Sequence, residues 1–235
     1  MKAILFDLDD TLYPEITFVK SGFKAVAAYL CQHCQHLDCN EQYLFDKLLL
    51  YLQSYGRGKT FDYLLRDLDL SIDHYIPLLI YIYRTHVPEI KLYPNVVSIL
   101  QNLKHKGFSI GIITDGMASV QRRKIEALKL EKLLDVVICT DEIGRHYWKP
   151  SPIPYKIALD YLNIKPVEAV YVGNDITKDF AGANAINMHT IQVKHADIMV
   201  QEGEKINEAF KAKHVIHELQ EIFEILDRLH LDKQN

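Results

Sequence analysis

No apolar stretch in this 235-residue chain approaches the roughly 20 residues needed to cross a bilayer, so a membrane-spanning role has no carrier. A dominant charge is also missing. The 27 Lys and Arg stand against 31 Asp and Glu, and a net charge of −4 gives no pull toward nucleic acid or anionic lipid. Neither internal repeats nor low-complexity segments occur. Strand signal begins directly after Met1, leaving no room for a basic leader and cleavable signal, so the expected place is the cytoplasm. Cysteine is sparse, and three of the four fall in Cys31-Gln-His-Cys34-Gln-His-Leu-Asp-Cys39, with His33 and His36 between them. These are zinc-ligand types at short spacing, but no fourth ligand appears near Leu44, where a zinc knuckle would need one. The segment also continues an amphipathic helical pattern from Phe18 to Leu30. Cys31 and Cys34 are therefore expected as small buried residues, with structural zinc as the alternative.

What is present is ordinary for a folded enzyme-sized chain. A hydrophobic content of 49% with 25% charged residues supports one large domain or a core with an insert. Five short β-rich runs recur at Ala3–Phe6, Ser109–Ile113, Val136–Thr140, Ala169–Val172 and Thr190–Val193. Helical patterns at about 94–106, 118–129, 152–162 and 177–187 separate most of them. Pro94 suits a first helical turn and Gly107 a stop. Alternation of this kind predicts an α/β fold with a Rossmann-like, doubly wound parallel sheet. Residues 14–93 show helical periodicity and little strand signal, far more chain than a crossover needs. They are expected to form an inserted helical cap lying over the end of strand one, with 1–13 and 94–235 as the core. His214–Leu229 carries apolar residues at helical spacing and is expected to be a helix packed on the core.

The first strand ends in carboxylates spaced by two, Asp7 and Asp9. Alternation directs both to one site while Leu8 turns away. Acids at the carboxyl end of a buried parallel strand sit where open α/β sheets bind ligands. One can attack an electrophile while its neighbour handles protons. Alternation points Asp10 away, so it reads as a turn-stabilising acid. Strand two closes with Thr114-Asp115-Gly116, a hydroxyl and backbone N–H groups suited to phosphate oxygens. Trp148-Lys149-Pro150 places an ammonium in a proline-stiffened loop. Strand four runs into Gly173-Asn174-Asp175-Ile-Thr-Lys-Asp179, hard oxygen ligands of the kind Mg²⁺ takes.

Taken in order, Asp-x-Asp-x-Thr, Thr, Lys and Gly-Asn-Asp-x-x-x-Asp resemble the four motifs of the haloacid dehalogenase-like (HAD) hydrolases, over essentially the whole chain. The similarity is greatest to the phosphatase branch with a helical cap between the first two motifs. The resemblance implies Asp7 as nucleophile, Asp9 as acid and base, and Thr114, Asp115 and Lys149 at the phosphate. It also implies Mg²⁺ held by Asp7, the Asp9 carbonyl and the fourth motif, through Asn174, Asp175 or Asp179. Thr11 is then expected to shape the loop.

The chain departs from the common pattern where Asn174 replaces an acid. Asp175 is the favoured ligand, because Mg²⁺ prefers anionic oxygen. The stretch Gly144–Trp148 is about two residues long for the pattern and is expected to pack Trp148. In the cap, Arg57 and Lys59 flank Gly58 in a basic turn that reads first as solvated, with a second substrate anion as the alternative. The implied function is Mg²⁺-dependent hydrolysis of a small phosphomonoester, such as a nucleotide or sugar phosphate. A phosphomutase or a catalytically silent binding module are the rivals. The implied partner is a phosphorylated metabolite, with no nucleic acid and no membrane; oligomeric state is left open.

Overall fold

The computed structural model describes residues 1–34, 40–195 and 207–231. They contain the strands β1 (Ala3–Phe6), β2 (Ser109–Thr114), β3 (Val136–Cys139), β4 (Ala169–Gly173), β5 (His189–Val193) and β6 (His214–Ile216). These form one sheet, order β3-β2-β1-β4-β5-β6, parallel at every pairing. Every residue of β1 is buried, as a central parallel strand covered on both faces requires. Phe6 registers with Ile112 on one side and Val172 on the other, so Asp7 emerges between the ends of β2 and β4.

Contacts divide the chain into two compact units, Met1–Pro14 with Lys91–Asn235, and Glu15–Ile90. The second unit consists of α1 (Glu15–His33), α2 (Glu41–Tyr55), α3 (Thr60–Asp67) and α4 (Ile72–Thr85), with a single 3₁₀ turn at Arg57–Lys59. Asn40 starts α2 by accepting the Tyr43 N–H at 2.9 Å. Val26, Leu30, Leu44, Leu48, Leu64 and Leu79 close its core. Cys34 is buried there and its thiol donates to the Tyr75 hydroxyl at 3.4 Å. Cys39 and His36, the remainder of the zinc alternative, lie outside the described residues.

The sheet unit carries α5 (Val96–His105), α6 (Ala118–Ala127), α7 (Ile153–Leu162), α8 (Ala181–Ala185) and α9 (Ile222–Leu231). Pro94 precedes α5 rather than opening it, because Asn95 intervenes with φ +65°. Gly107 does end that helix. Its φ of +85° lets Phe108 N–H reach back to the Leu103 carbonyl at 3.1 Å. Two expectations are corrected. Residues 214–216 are a short strand beside β5, and helix resumes only at Ile222. The helix expected over 177–187 shrinks to Ala181–Ala185. Its expected first residues are held in a turn instead, with the Thr177 N–H and hydroxyl donating to the Asp175 carboxylate. Tyr155, Ala158, Leu159, Tyr171, Phe180 and Met188 pack a core against Leu5. No described helix is long and apolar enough to cross a membrane.

The chain leaves β1 for β2 and β3 on one side, then returns to place β4 on the other. Crossovers therefore diverge around the carboxyl end of β1, the usual ligand position in such sheets.

Candidate active site

Asp7 follows β1 directly, its N–H donating to the Val172 carbonyl at 2.8 Å. The fully buried Lys149 ammonium donates to Asp7 Oδ1 at 2.6 Å, Asp179 Oδ1 at 2.7 Å and Tyr171 Oη at 3.1 Å. Tyr171 also donates to Asp179 Oδ1, while Asp179 Oδ2 accepts the Asn174 and Asp175 N–H groups at 3.1 and 2.8 Å. Four donors thus saturate the Asp179 carboxylate, so it anchors the loop after β4 and has no lone pair left for a metal. Gly173 makes that possible, since a Cβ there would stand 2.5 Å from Asp179 Oδ2.

Burial pushes the Asp7 carboxyl up, to about 7, with Lys149 pulling against it and Asp179 adding to the rise. Burial opposes the charge on Lys149, but Asp179 and Asp7 outweigh it and hold the ammonium well above its ordinary range.

Asp9 is held differently. Its Oδ1 accepts from Lys124 Nζ at 2.7 Å and from the Tyr13 hydroxyl, and its Oδ2 from Gln121 Nε2 at 2.7 Å. Burial works against its charge, but the Lys124 ammonium and the hydrogen bonds from Lys124, Tyr13 and Gln121 prevail and hold it below the usual carboxylate range. The loop can turn so tightly because Asp10 adopts φ +55° and returns its N–H to the Tyr13 carbonyl at 2.9 Å. Asp10 thus serves the turn. Gln121 Nε2 also donates to Thr114 Oγ1 at 2.5 Å. That hydroxyl accepts from Gln121, which leaves its own proton to offer elsewhere.

The Asp115 side chain serves as a brace. Its Oδ1 accepts from Thr140 Oγ1 at 2.7 Å and from the Lys149 N–H at 3.2 Å. A carboxylate repels phosphate, and this one braces the ends of β2 and β3 against the Lys149 loop. Gly182 seats the same loop from behind, because a Cβ on it would stand 2.5 Å from the Pro150 carbonyl. The long Gly144–Trp148 stretch forms a 3₁₀ turn in which the Arg145 guanidinium lies 5.6 Å from the Trp148 ring centre.

Asp7, Asp9, Thr114, Asp115, Lys149, Asn174, Asp175 and Asp179 all gather at the carboxyl ends of β1, β2 and β4 or in the Lys149 loop. Arg57 and Lys59 belong to the other unit, where Arg57 forms a bidentate pair with Glu15 at 2.8 and 2.7 Å. Sequence reasoning missed Gln121, Lys124, Tyr13, Thr140, Tyr171 and Tyr155, whose hydroxyl donates to the Asp179 carbonyl at 2.7 Å. The first two stand at i and i+3 on a helix whose neighbours Val120 and Ile125 are buried, a polar pair on an inward face.

The donor set fits a hard divalent cation on one clear ground. Asp7 Oδ2 is buried with no hydrogen-bond partner among the described residues, while the Lys149 ammonium is shared between two carboxylates. Of the two candidates after Gly173, Asn174 faces the first loop, its Oδ1 accepting from Thr11 Oγ1 at 3.2 Å. Asp175 turns to the Thr177 N–H and hydroxyl at 2.9 and 2.6 Å. The two side chains thus point to different partners, Asn174 toward the first loop and Asp175 toward its own turn.

A doubly wound parallel sheet with this acid–lysine cluster at the end of its first strand defines a hydrolase class. Residues 4–193 match the family described as haloacid dehalogenase-like hydrolase, and the chain belongs to it. It is 33% identical to a glyceraldehyde 3-phosphate phosphatase from Pyrococcus furiosus, over 97% of this chain and 94% of that protein. The one from Methanopyrus kandleri is 31% identical over 83% and 84%. The fold is also that of a HAD phosphatase from Thermococcus onnurineus, TM-score 0.61 at 24% identity, covering 96% and 98% of the two chains.

Proposed function

We propose that this chain is a Mg²⁺-dependent phosphatase that hydrolyses a small phosphomonoester of the cytoplasm through an aspartyl-phosphate on Asp7. The observation that carries the reading is the pairing of Asp7 with Lys149 beside an unpartnered Asp7 Oδ2. One oxygen is held and oriented; the other stands bare in a buried pocket of charge. The relatives named for glyceraldehyde 3-phosphate support a short phosphorylated carbohydrate as substrate.

Asp7 attacks phosphorus, forming the carboxyl–phosphoryl bond as the bond to the leaving oxygen breaks. Asp9, protonated at that moment, gives its proton to the leaving alcohol. Water then attacks the same phosphorus, Asp9 accepts its proton, and Asp7 is released as carboxylate with inorganic phosphate. Thr114 donates its free hydroxyl proton to a phosphoryl oxygen, and Lys149 balances charge on Asp7 and on the transferring group. Asp7 Oδ2, the Asp9 carbonyl and Asn174 Oδ1 would hold the Mg²⁺. Bound there, it would neutralise the repulsion between carboxylate and phosphate.

The test is phosphate release from para-nitrophenyl phosphate and glyceraldehyde 3-phosphate with Mg²⁺. Turnover by the wild type, abolished in Asp7→Asn, supports the reading. Turnover retained in Asp7→Asn contradicts it.

A further inference from the structure

The Asp9 carboxylate accepts from three donors: the Lys124 ammonium, the Tyr13 hydroxyl and the Gln121 amide. The bonds come from two parts of the chain, the first loop and α6, and together they fix where the Asp9 carboxylate stands. Lys124 and Gln121 are themselves buried on the inner face of α6, polar side chains in a place that apolar ones usually fill. Gln121 does a second thing. By donating to both Asp9 Oδ2 and Thr114 Oγ1 it fixes the proton-handling acid relative to the hydroxyl at the end of β2.

We propose that Lys124 and Gln121 are positioning residues for the second half of the reaction, holding Asp9 as the acceptor of the proton that water loses. The proposal rests on the aspartyl-phosphate reading above and assigns that reading a rate-controlling pair outside its four motifs. In the second half-reaction water forms a bond to phosphorus and the Asp7–phosphorus bond breaks, while one water proton passes to Asp9. Without the cradle, Asp9 keeps its chemistry but loses its place, and proton removal slows.

Para-nitrophenyl phosphate separates the two halves, because its leaving group departs without needing a proton. In Lys124→Met, nitrophenol formation on the first turnover is expected to survive while dephosphorylation stalls. Rapid mixing should then show a burst approaching one nitrophenolate per chain. The steady-state kcat should fall about ten- to hundredfold, less than the roughly 10²–10⁴-fold of acid–base assistance as a whole, because Asp9 itself is kept. The apparent KM should fall with it, leaving kcat/KM within about threefold of wild type. Gln121→Leu carries the same expectation and serves if Lys124→Met does not fold; Lys124→Arg, keeping the cation, should recover part of kcat. A parallel fall of kcat and kcat/KM without a burst, or unchanged kinetics in both variants, overturns the proposal. Absence of turnover in the wild type, or turnover in Asp7→Asn, would instead remove the reading beneath it.

Discussion

Lys149 and Asp7 meet at 2.6 Å with the ammonium wholly out of solvent, and the same ammonium lies 2.7 Å from Asp179. One cation thus serves two buried acids. In such a group the loss of a single member leaves uncompensated charge, which is what makes buried pairs costly to break.

Lys149→Met is therefore expected to destabilise the fold by about 3–5 kcal/mol and to abolish turnover. Addition of Mg²⁺ should return part of the stability, since a cation at Asp7 relieves the uncompensated pair of buried acids. Urea unfolding with and without Mg²⁺ measures both effects. Equal midpoints in wild type and variant would show that the ammonium is not what holds these carboxylates together.

Side-chain direction places Asn174 toward Thr11 and Asp175 toward Thr177. Asn174→Asp is accordingly expected to tighten Mg²⁺ binding, by adding an anionic oxygen where a neutral one stands. Asp175→Asn should change it less. Isothermal titration with Mg²⁺ ranks the two, and the opposite order would mean that the loop rearranges when the cation enters.

Metal affinity should also depend on pH in a particular direction. Burial raises the Asp7 carboxyl to about 7, and a cation can bind only the ionised form. Below that value each unit of pH lost should weaken apparent Mg²⁺ affinity about tenfold, because one proton must leave. Above it, affinity should level off. Titrations between pH 5.5 and 8.5, a range chosen to span about one to two units either side, check the slope. A flat profile would show that Asp7 is ionised throughout.

Gly173 has a Cβ position only 2.5 Å from Asp179 Oδ2. Gly173→Ala must push the carboxylate from the Asn174 and Asp175 N–H groups, and a cost of about 1–3 kcal/mol is expected. Thermal unfolding reads the loss, and Mg²⁺ affinity should drop in the same variant because Asn174 shifts. An alanine that leaves both unchanged would show the loop to be adaptable.

The parts of this arrangement that were legible in the sequence share one property: each directly follows a strand or sits in a marked loop. Asp7, Thr114 and Lys149 announce themselves because a buried apolar run stops and chemistry begins. Gln121 and Lys124 do not. Charged and amide residues on a helix normally read as its solvated face, and only packing shows that this pair turns inward to Asp9. Tyr171 is hidden for the opposite reason, since an aromatic within a buried strand reads as core although its hydroxyl reaches Asp179. The brace that the Asp115 carboxylate forms with Thr140 and the Lys149 N–H is hidden too, because both partners are remote from it in sequence. The strand at His214–Ile216 escaped because three residues hold too little period to separate it from the helix that follows.

The central claim is that a phosphoryl group rides on Asp7. Beryllium fluoride mimics such a group by bonding to a carboxylate oxygen, so a crystal structure of the protein with Mg²⁺ and beryllium fluoride tests it directly. The account predicts the fluoride attached to Asp7, with Thr114 and Lys149 on its fluorines. Fluoride attached to Asp9 or to any other carboxylate, with Asp7 bare, would contradict it.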